Sequence, residues 1–343
     1  MKRGFLAAAF AALVVPSIAV AGTTTLVPGV RYERQVRLIG GSGVVLHILR
    51  APRHGGLHWL RPVLSNGTVL GRETVPTMER RVSRRATVAG VNGDFFRFDT
   101  GQPTSVFLRD GVLANRPHPK RSSLGIAFDG RLVVNRFAYS GSWQAAGYVE
   151  HPLEEFNRRL RHPPGVALYT PKWGGVTPRG RTVRDVVLKS FPRVLPNGYQ
   201  TGKVVGVRRG GGTTVPRGGA VLQARGSWSD VLVREARPGT LVTVHISLRN
   251  LPGDVADAIG GGPLLVRNGR AAAAPSSNTV SMWASSSRRR PPSATGRPPT
   301  RRPTTMSPRG SAPGWGRWRS TSHPPASKRA WHRSATRFTP SVV

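Results

Sequence analysis

The sequence predicts an α+β protein that is mainly β, with mixed and antiparallel sheets and few helices, followed by a disordered C-terminal tail. Three observations predict it. Glycine and proline are frequent, 41 and 30 of 343 residues, which favours short strands and turns over long helices. Short apolar runs recur along the chain, separated by turn signals. After Ala274 the composition shifts abruptly to Arg, Pro, Ser and Thr.

The first element is a targeting signal. Lys2 and Arg3 precede an apolar run from Phe5 to Val15, and Ala19-Val20-Ala21 supplies an A-x-A cleavage site. The run is too short for a bilayer span of about 20 residues and carries Pro16. Residues 1–21 are therefore expected to direct export to the cell envelope or beyond, leaving no transmembrane span after cleavage. The chain has no cysteine, so stability must come from its core.

Residues 22–85 are expected to form a β-rich segment packed on the following domain. Runs such as Val44-Val45-Leu46-His47-Ile48-Leu49, broken by Gly40-Gly41 and Gly55-Gly56, predict short strands up to Glu79. Residues 80–85 carry four arginines on a helix or loop. Ala86-Thr87-Val88-Ala89-Gly90-Val91 then predicts a buried strand that ends in the loop Asn92-Gly93-Asp94, anchored by Phe95 and Phe96. Further strands are predicted at residues 105–108, 124–128, 131–134, 166–170, 185–188, 204–207, 220–224 and 241–246. Asp110-Gly111 and Asp129-Gly130 mark two hairpins. Residues 154–161 predict a helical turn, stopped by Pro163-Pro164.

The formal net charge of +37 points to anionic partners, but it is unevenly placed. About 13 of the 52 Lys and Arg fall in the last 68 residues, and no Asp or Glu follows Asp257. Nucleic acid is thus not the expected partner, because that reading rests on the tail and its Trp283, Trp315, Trp318 and Trp331. His118, His151 and His162 have no metal-ligand spacing, so neither a metal site nor a cofactor is expected.

Three groups of residues could carry chemistry. Asn92 and Asp94 place an amide and a carboxylate on one loop, able to bind a sugar hydroxyl and to take or give a proton; capping of backbone N–H groups in a turn explains them equally. Arg116 and Arg121 flank a loop where guanidinium groups could hold a phosphodiester oxygen, or they are solvated surface charges. Gly260-Gly261-Gly262 would let backbone approach a phosphate or a sugar ring, or would simply form a tight turn.

These segments, in order, carry a resemblance. Residues 88–96 with Gly101-Gln102-Pro103 and Arg109-Asp110-Gly111, the block Arg121-Ser122-Ser123-Leu124-Gly125-Ile126, Leu168-Tyr169-Thr170-Pro171-Lys172-Trp173-Gly174, and the block from Ala258 to Arg270 together resemble the phosphodiester glycosidase family over residues 86–270. The resemblance implies an exported hydrolase acting on N-acetylglucosamine 1-phosphodiesters or related glycosyl phosphates of the envelope. It implies Asp94 as acid or base, Asn92 orienting the sugar, Arg121 neutralising the phosphodiester, and Gly261 with Gly262 lining the site. The alternative is a non-catalytic envelope protein that binds anionic glycans.

The chain also departs from the family pattern. An Arg-Thr-Ala-Val-Gly strand and a later Asp-Gly-Gly-Gly-Ser loop belong there after the glycine block, and neither occurs here. Glycoside cleavage commonly uses two carboxylates, and only one is identified, so activity is expected only of a complete domain. The domain-like region is accordingly 86–274 and incomplete, and the tail is 275–343. Three readings of the tail stay open: a disordered linker, a basic arm for polyanions, and a shifted reading frame. For the third, Pro291-Pro292-Ser293-Ala294 can be encoded by codons that one nucleotide earlier read as a small residue and then Ala-Val-Gly.

Overall fold

The computed structural model describes residues 19–39, 42–52, 58–82 and 88–272. Residues 1–18, most of the expected signal, and 273–343, which include the whole expected tail, lie outside them. Three antiparallel strands come first, β1 (Ala19–Val27), β2 (Val30–Ile39) and β3 (Ser42–Arg50), with β2 in the middle. Short strands were expected to continue to Glu79. Instead a helix, α1 (Val75–Val82), takes the end of that stretch. Pro76 supplies no N–H for a strand ladder but is tolerated in a first helical turn. The Arg81 guanidinium reaches back to Glu73, 2.7 Å away, and fixes the helix against its own entry.

Two hairpins follow. The first joins β4 (Phe107–Arg109) to β5 (Val112–Asn115), and the second joins β6 (Ser123–Ala127) to β7 (Leu132–Asn135). Asp110-Gly111 turns the first with both residues at positive φ, 51° and 72°, as a tight hairpin requires. Asp129-Gly130 turns the second.

The chain continues through β8 (Ala138–Ala145), β9 (His151–Pro152), β10 (Glu155–Phe156) and β11 (Gly165–Tyr169). After these come β12 (Val183–Lys189), β13 (Gly198–Arg209), β14 (Gly219–Arg225) and the helix α2 (Trp228–Glu235). Strands β15 (Leu241–Arg249) and β16 (Val255–Gly260) complete the two sheets. The larger has the order β10-β11-β14-β12-β13-β15-β8-β9, antiparallel throughout except for the β10–β11 pair. The smaller has the order β5-β4-β16-β6-β7, so β16 inserts between the two hairpins.

Both sheets face one core. Leu108, Leu113 and Ala258 of the smaller sheet share a cluster with Trp143, Leu168, Val186, Leu222 and Ile246 of the larger. β15 shows the alternation that a half-buried strand needs, with Val242, Val244, Ile246 and Leu248 inward. β14 is buried over nearly its whole length, and α2 covers it and β12 with Leu232. The mainly β class with mixed and antiparallel sheets is thus as the turn-punctuated sequence predicts.

Two local expectations fail for identifiable reasons. Residues 88–91 are not a buried strand: no strand among the described residues pairs with them, and Val91 is 73% exposed. Val-Ala-Gly-Val has strand propensity, but propensity without a neighbouring ladder makes no sheet. Residues 154–161 are not helical either. Glu154 N–H donates to Val166 O and Asn157 N–H to Leu168 O, so β11 draws the segment into the larger sheet. No helix among the described residues is long and apolar enough to cross a membrane.

Leu222 sits at the centre of β14 and is fully buried. Leu222→Ala should lower unfolding free energy by about 3 kcal/mol, the cost of lost burial plus a cavity. Chemical denaturation followed by tryptophan fluorescence measures it; a loss below about 1 kcal/mol would mean that the two sheets do not share a close-packed core.

Candidate functional site

Residues 94–105 fold back on themselves at the edge of the smaller sheet. Thr104 N–H donates to Phe95 O (2.8 Å), Arg97 N–H to Gln102 O (2.9 Å), and Gly101 N–H to Arg97 O (2.7 Å). This turn carries Ser105 back to Asp94, whose Oδ2 accepts the Ser105 N–H at 2.7 Å. Thr104 Oγ1 lies 3.5 Å from the other carboxylate oxygen.

Three buried amides hold the turn in place. Gln102 Nε2 donates to Asn157 O (3.0 Å), and Asn115 Nδ2 donates to Pro103 O (3.1 Å) and to Ser105 O. Asn157 Nδ2 donates to Ala114 O and Thr170 Oγ1, while its Oδ1 accepts the Thr170 N–H. These bonds satisfy backbone that has left the sheets, where an unmade bond would cost about 1–3 kcal/mol.

Asp94 is thereby fixed in a poorly solvated place, its side chain only 4% exposed. Burial pushes its carboxyl up from 3.8 to about 6, against the opposing pull of the Ser105 N–H and of Arg121 and Arg158. Gly260 makes room for it. β16 ends there, with Gly260 N–H donating to Val106 O, and a Cβ on Gly260 would meet Asp94 Oδ2 at 2.6 Å as well as Ser105 Cβ. No side chain fits at this position without moving the carboxylate.

Arg121 lies beside Asp94. Its Nη1 is 3.9 Å from Asp94 Oδ1 and donates to Thr104 Oγ1 at 2.5 Å, and its guanidinium sits 4.7 Å from the centre of the Phe95 ring. The backbone of Gly261 donates to Ser122 O, and Gly262 lies over the same Phe95 ring, which a Cβ would touch at 3.6 Å. Asp94, Arg121, Gly261 and Gly262 therefore share one neighbourhood. Asn92 is exposed, and no hydrogen bond among the described residues ties it to Asp94. Phe96 is not the buried anchor expected from the sequence: it is 44% exposed and packs on Phe98, because its backbone bridges Pro103 at the rim of the turn.

The surroundings are cationic. Arg116 is committed to Glu155 through two bonds of 2.5 and 2.8 Å and to the Tyr139 ring, so it is a structural cation rather than an open one. Arg158 is buried, 6% exposed, and donates to Thr104 O at 3.0 Å. Burial, and then repulsion from Arg121, Arg158, Arg161 and Arg116, holds the His118 imidazole below its usual value, so it is neutral at pH 7. His118 N–H donates to Ser105 Oγ, which ties the Arg121 turn to the Asp94 turn. Among the described residues no group of three or more His, Asp or Glu could hold a metal ion.

Sequence reasoning did not single out Thr104, Ser105 or Arg158. Thr104 looks like an ordinary loop residue, Ser105 opens a predicted strand, and Arg158 falls in a stretch read as helical. A signal was present: Asn157 immediately before arginines and ahead of an apolar strand suggests a backbone-capping amide rather than a helix.

The described fold is similar to two solved proteins. A hypothetical protein from Synechocystis matches with a TM-score of 0.59 and 19% identity over 76% of this chain and 46% of that one, so the chain spans less than half of its length. A protein of Burkholderia pseudomallei K96243, named as exported, matches with a TM-score of 0.53 and 19% identity over 75% of each chain. At this identity the likeness is one of fold. No protein-family model and no curated protein matches the chain.

The elevated Asp94 value has a stability consequence. The folded chain holds this proton more tightly than the unfolded one, so raising pH from about 4 to 6 removes stability, by about 3 kcal/mol once the carboxylate is ionised. Asp94→Asn should therefore stabilise the chain at pH 7 by a similar amount and much less at pH 4. Denaturation at the two pH values checks it; an equal effect at both would show that Asp94 is not the titrating group.

Proposed function

We propose that this chain is an exported hydrolase of the phosphodiester glycosidase type, acting on N-acetylglucosamine 1-phosphodiesters or related glycosyl phosphates of the cell envelope. The observation that carries the reading is the pairing of a buried carboxylate at about 6 with an adjacent guanidinium, Asp94 with Arg121, under a glycine-lined approach. A carboxyl near that value can give a proton to a leaving oxygen or take one from water at near-neutral pH. Arg121, placed over the Phe95 ring with its side chain 31% exposed, suits a phosphodiester oxygen. Gly261 and Gly262 present backbone without side chains beside Ser122 and Phe95, which a sugar ring could approach closely. Export rests on the first 21 residues and agrees with the name of the Burkholderia protein.

A second reading, glycan binding without cleavage, draws on the same site. The charges acting most on Asp94 are Arg121 and Arg158, both cations, and hydrolysis of glycosides generally calls on a second carboxylate. Release of N-acetylglucosamine from a 1-phosphodiester substrate separates the readings. Asp94→Asn should lower kcat by at least about 100-fold with KM changed little, and the wild-type rate should show a limb near pH 6. Turnover unaffected by Asp94→Asn would remove the assignment, and strong salt-dependent binding with no product would favour the second reading.

A further inference from the structure

Next to the Asp94 site lies a cleft of about 280 Å³ lined in part by Arg97, Asp99, Thr104, Arg158, Arg159 and Arg161. Thr104 belongs to both places. Its hydroxyl accepts from Arg121, and its carbonyl accepts from Arg158. Neither Asp94 nor Arg121 lines the cleft.

The arginines of the cleft are unequal. Arg97 is paired with Asp99 through bonds of 3.2 and 3.0 Å. Arg158, Arg159 and Arg161 make no ion pair among the described residues. The carboxylate nearest to Arg158 in sequence that is also buried, Glu155, is already bound on both oxygens by Arg116. Arg158 is the telling member, because it is 94% buried yet its guanidinium makes one hydrogen bond among the described residues, to Thr104 O, out of five N–H donors. A guanidinium removed from water without a counter-charge is costly. Burial and then the repulsion of Arg116 pull it down to about 10, against the attraction of Glu155 and Asp94, neither of which it bonds. Arg159 and Arg161 are exposed at the mouth of the cleft, where they raise the local concentration of anions.

We propose that this cleft binds a phosphate group, at a site separate from Asp94 and Arg121, with Arg158 as its buried contact and Arg159 and Arg161 at its rim. Tetrahedral oxyanions match the fork of guanidinium donors, and none of the three arginines is ion-paired among the described residues. That the phosphate belongs to the substrate rests on the function proposed above; in that case the substrate carries a second phosphate beside the one cleaved, as in a polymer of glycosyl phosphates.

Inorganic phosphate is the probe, titrated by calorimetry into the full chain at constant ionic strength set with chloride, so that the basic tail contributes equally to every variant. Arg158→Met should weaken phosphate binding at least tenfold, while Arg121→Met should leave it within twofold. Retained affinity in Arg158→Met, or loss only in Arg121→Met, would each overturn the proposal. Should Arg158→Met fail to fold, the exposed double variant Arg159→Gln/Arg161→Gln decides: at least a threefold loss is expected, and no loss overturns the site. Hydrolysis is read separately. If Asp94→Asn leaves turnover intact while Arg158→Met abolishes phosphate binding, the site stands and only its place in the proposed reaction falls.

Discussion

Three buried side-chain amides govern the geometry of this protein's candidate site. Gln102, Asn115 and Asn157 each bond backbone outside the regular strands, and together they join the turn at residues 94–105 to β5 and to the ends of β10 and β11. Loops ordinarily run on the surface because buried backbone must find partners. Here the partners are supplied from the side, so a loop can lie against the core with its carboxylate out of water. The raised proton affinity of Asp94 follows from that placement. So does the burial of Arg158, whose neighbour Asn157 adopts a positive φ of 44° to meet its bonds.

The sheets were legible where a residue type has one structural use. Asp110-Gly111 and Asp129-Gly130 demand hairpins, and the alternating Val242, Val244, Ile246 and Leu248 demand a strand with one wet face. β8 was not legible, because Ala138–Ala145 mixes small and polar residues and becomes a strand only by pairing with β15. Residues 88–91 erred in the other direction: apolar and β-prone, they lack the ladder that would use that character. Within the site, the Asn-Gly-Asp loop and the glycine triplet drew attention through unusual composition. Thr104 and Ser105 did not, since their part depends on which backbone atoms a distant amide brings near. Arg116 and Arg158 could not be told apart by sequence; only the two bonds that Glu155 makes to Arg116 separate a committed cation from a buried one that bonds a backbone carbonyl.

The overall charge is therefore a poor guide to what the protein touches. The formal +37 counts every cation equally, including those in the last 68 residues. In the described residues, several arginines are consumed internally: Arg81 by Glu73, Arg97 by Asp99, Arg116 by Glu155 and Arg131 by Asp254. What remains is local, a group of guanidiniums near His118 and Asp94 that adds to burial in lowering the proton affinity of the imidazole. Selectivity for an anion would come from this arrangement and from the shape of the cleft, with the long-range field affecting mainly the rate of encounter.

Gly260 gives the site an unusual vulnerability. A residue that contributes no atom to chemistry decides whether the carboxylate can occupy its place at all, because the volume a methyl group would fill is already taken by Asp94 and Ser105. The smallest possible change of side chain there would be felt as displacement of a charge and not as a loss of packing. The protein's chemistry is thus guarded by an empty volume, and the sequence can drift at many exposed arginines far more freely than at this one hydrogen atom.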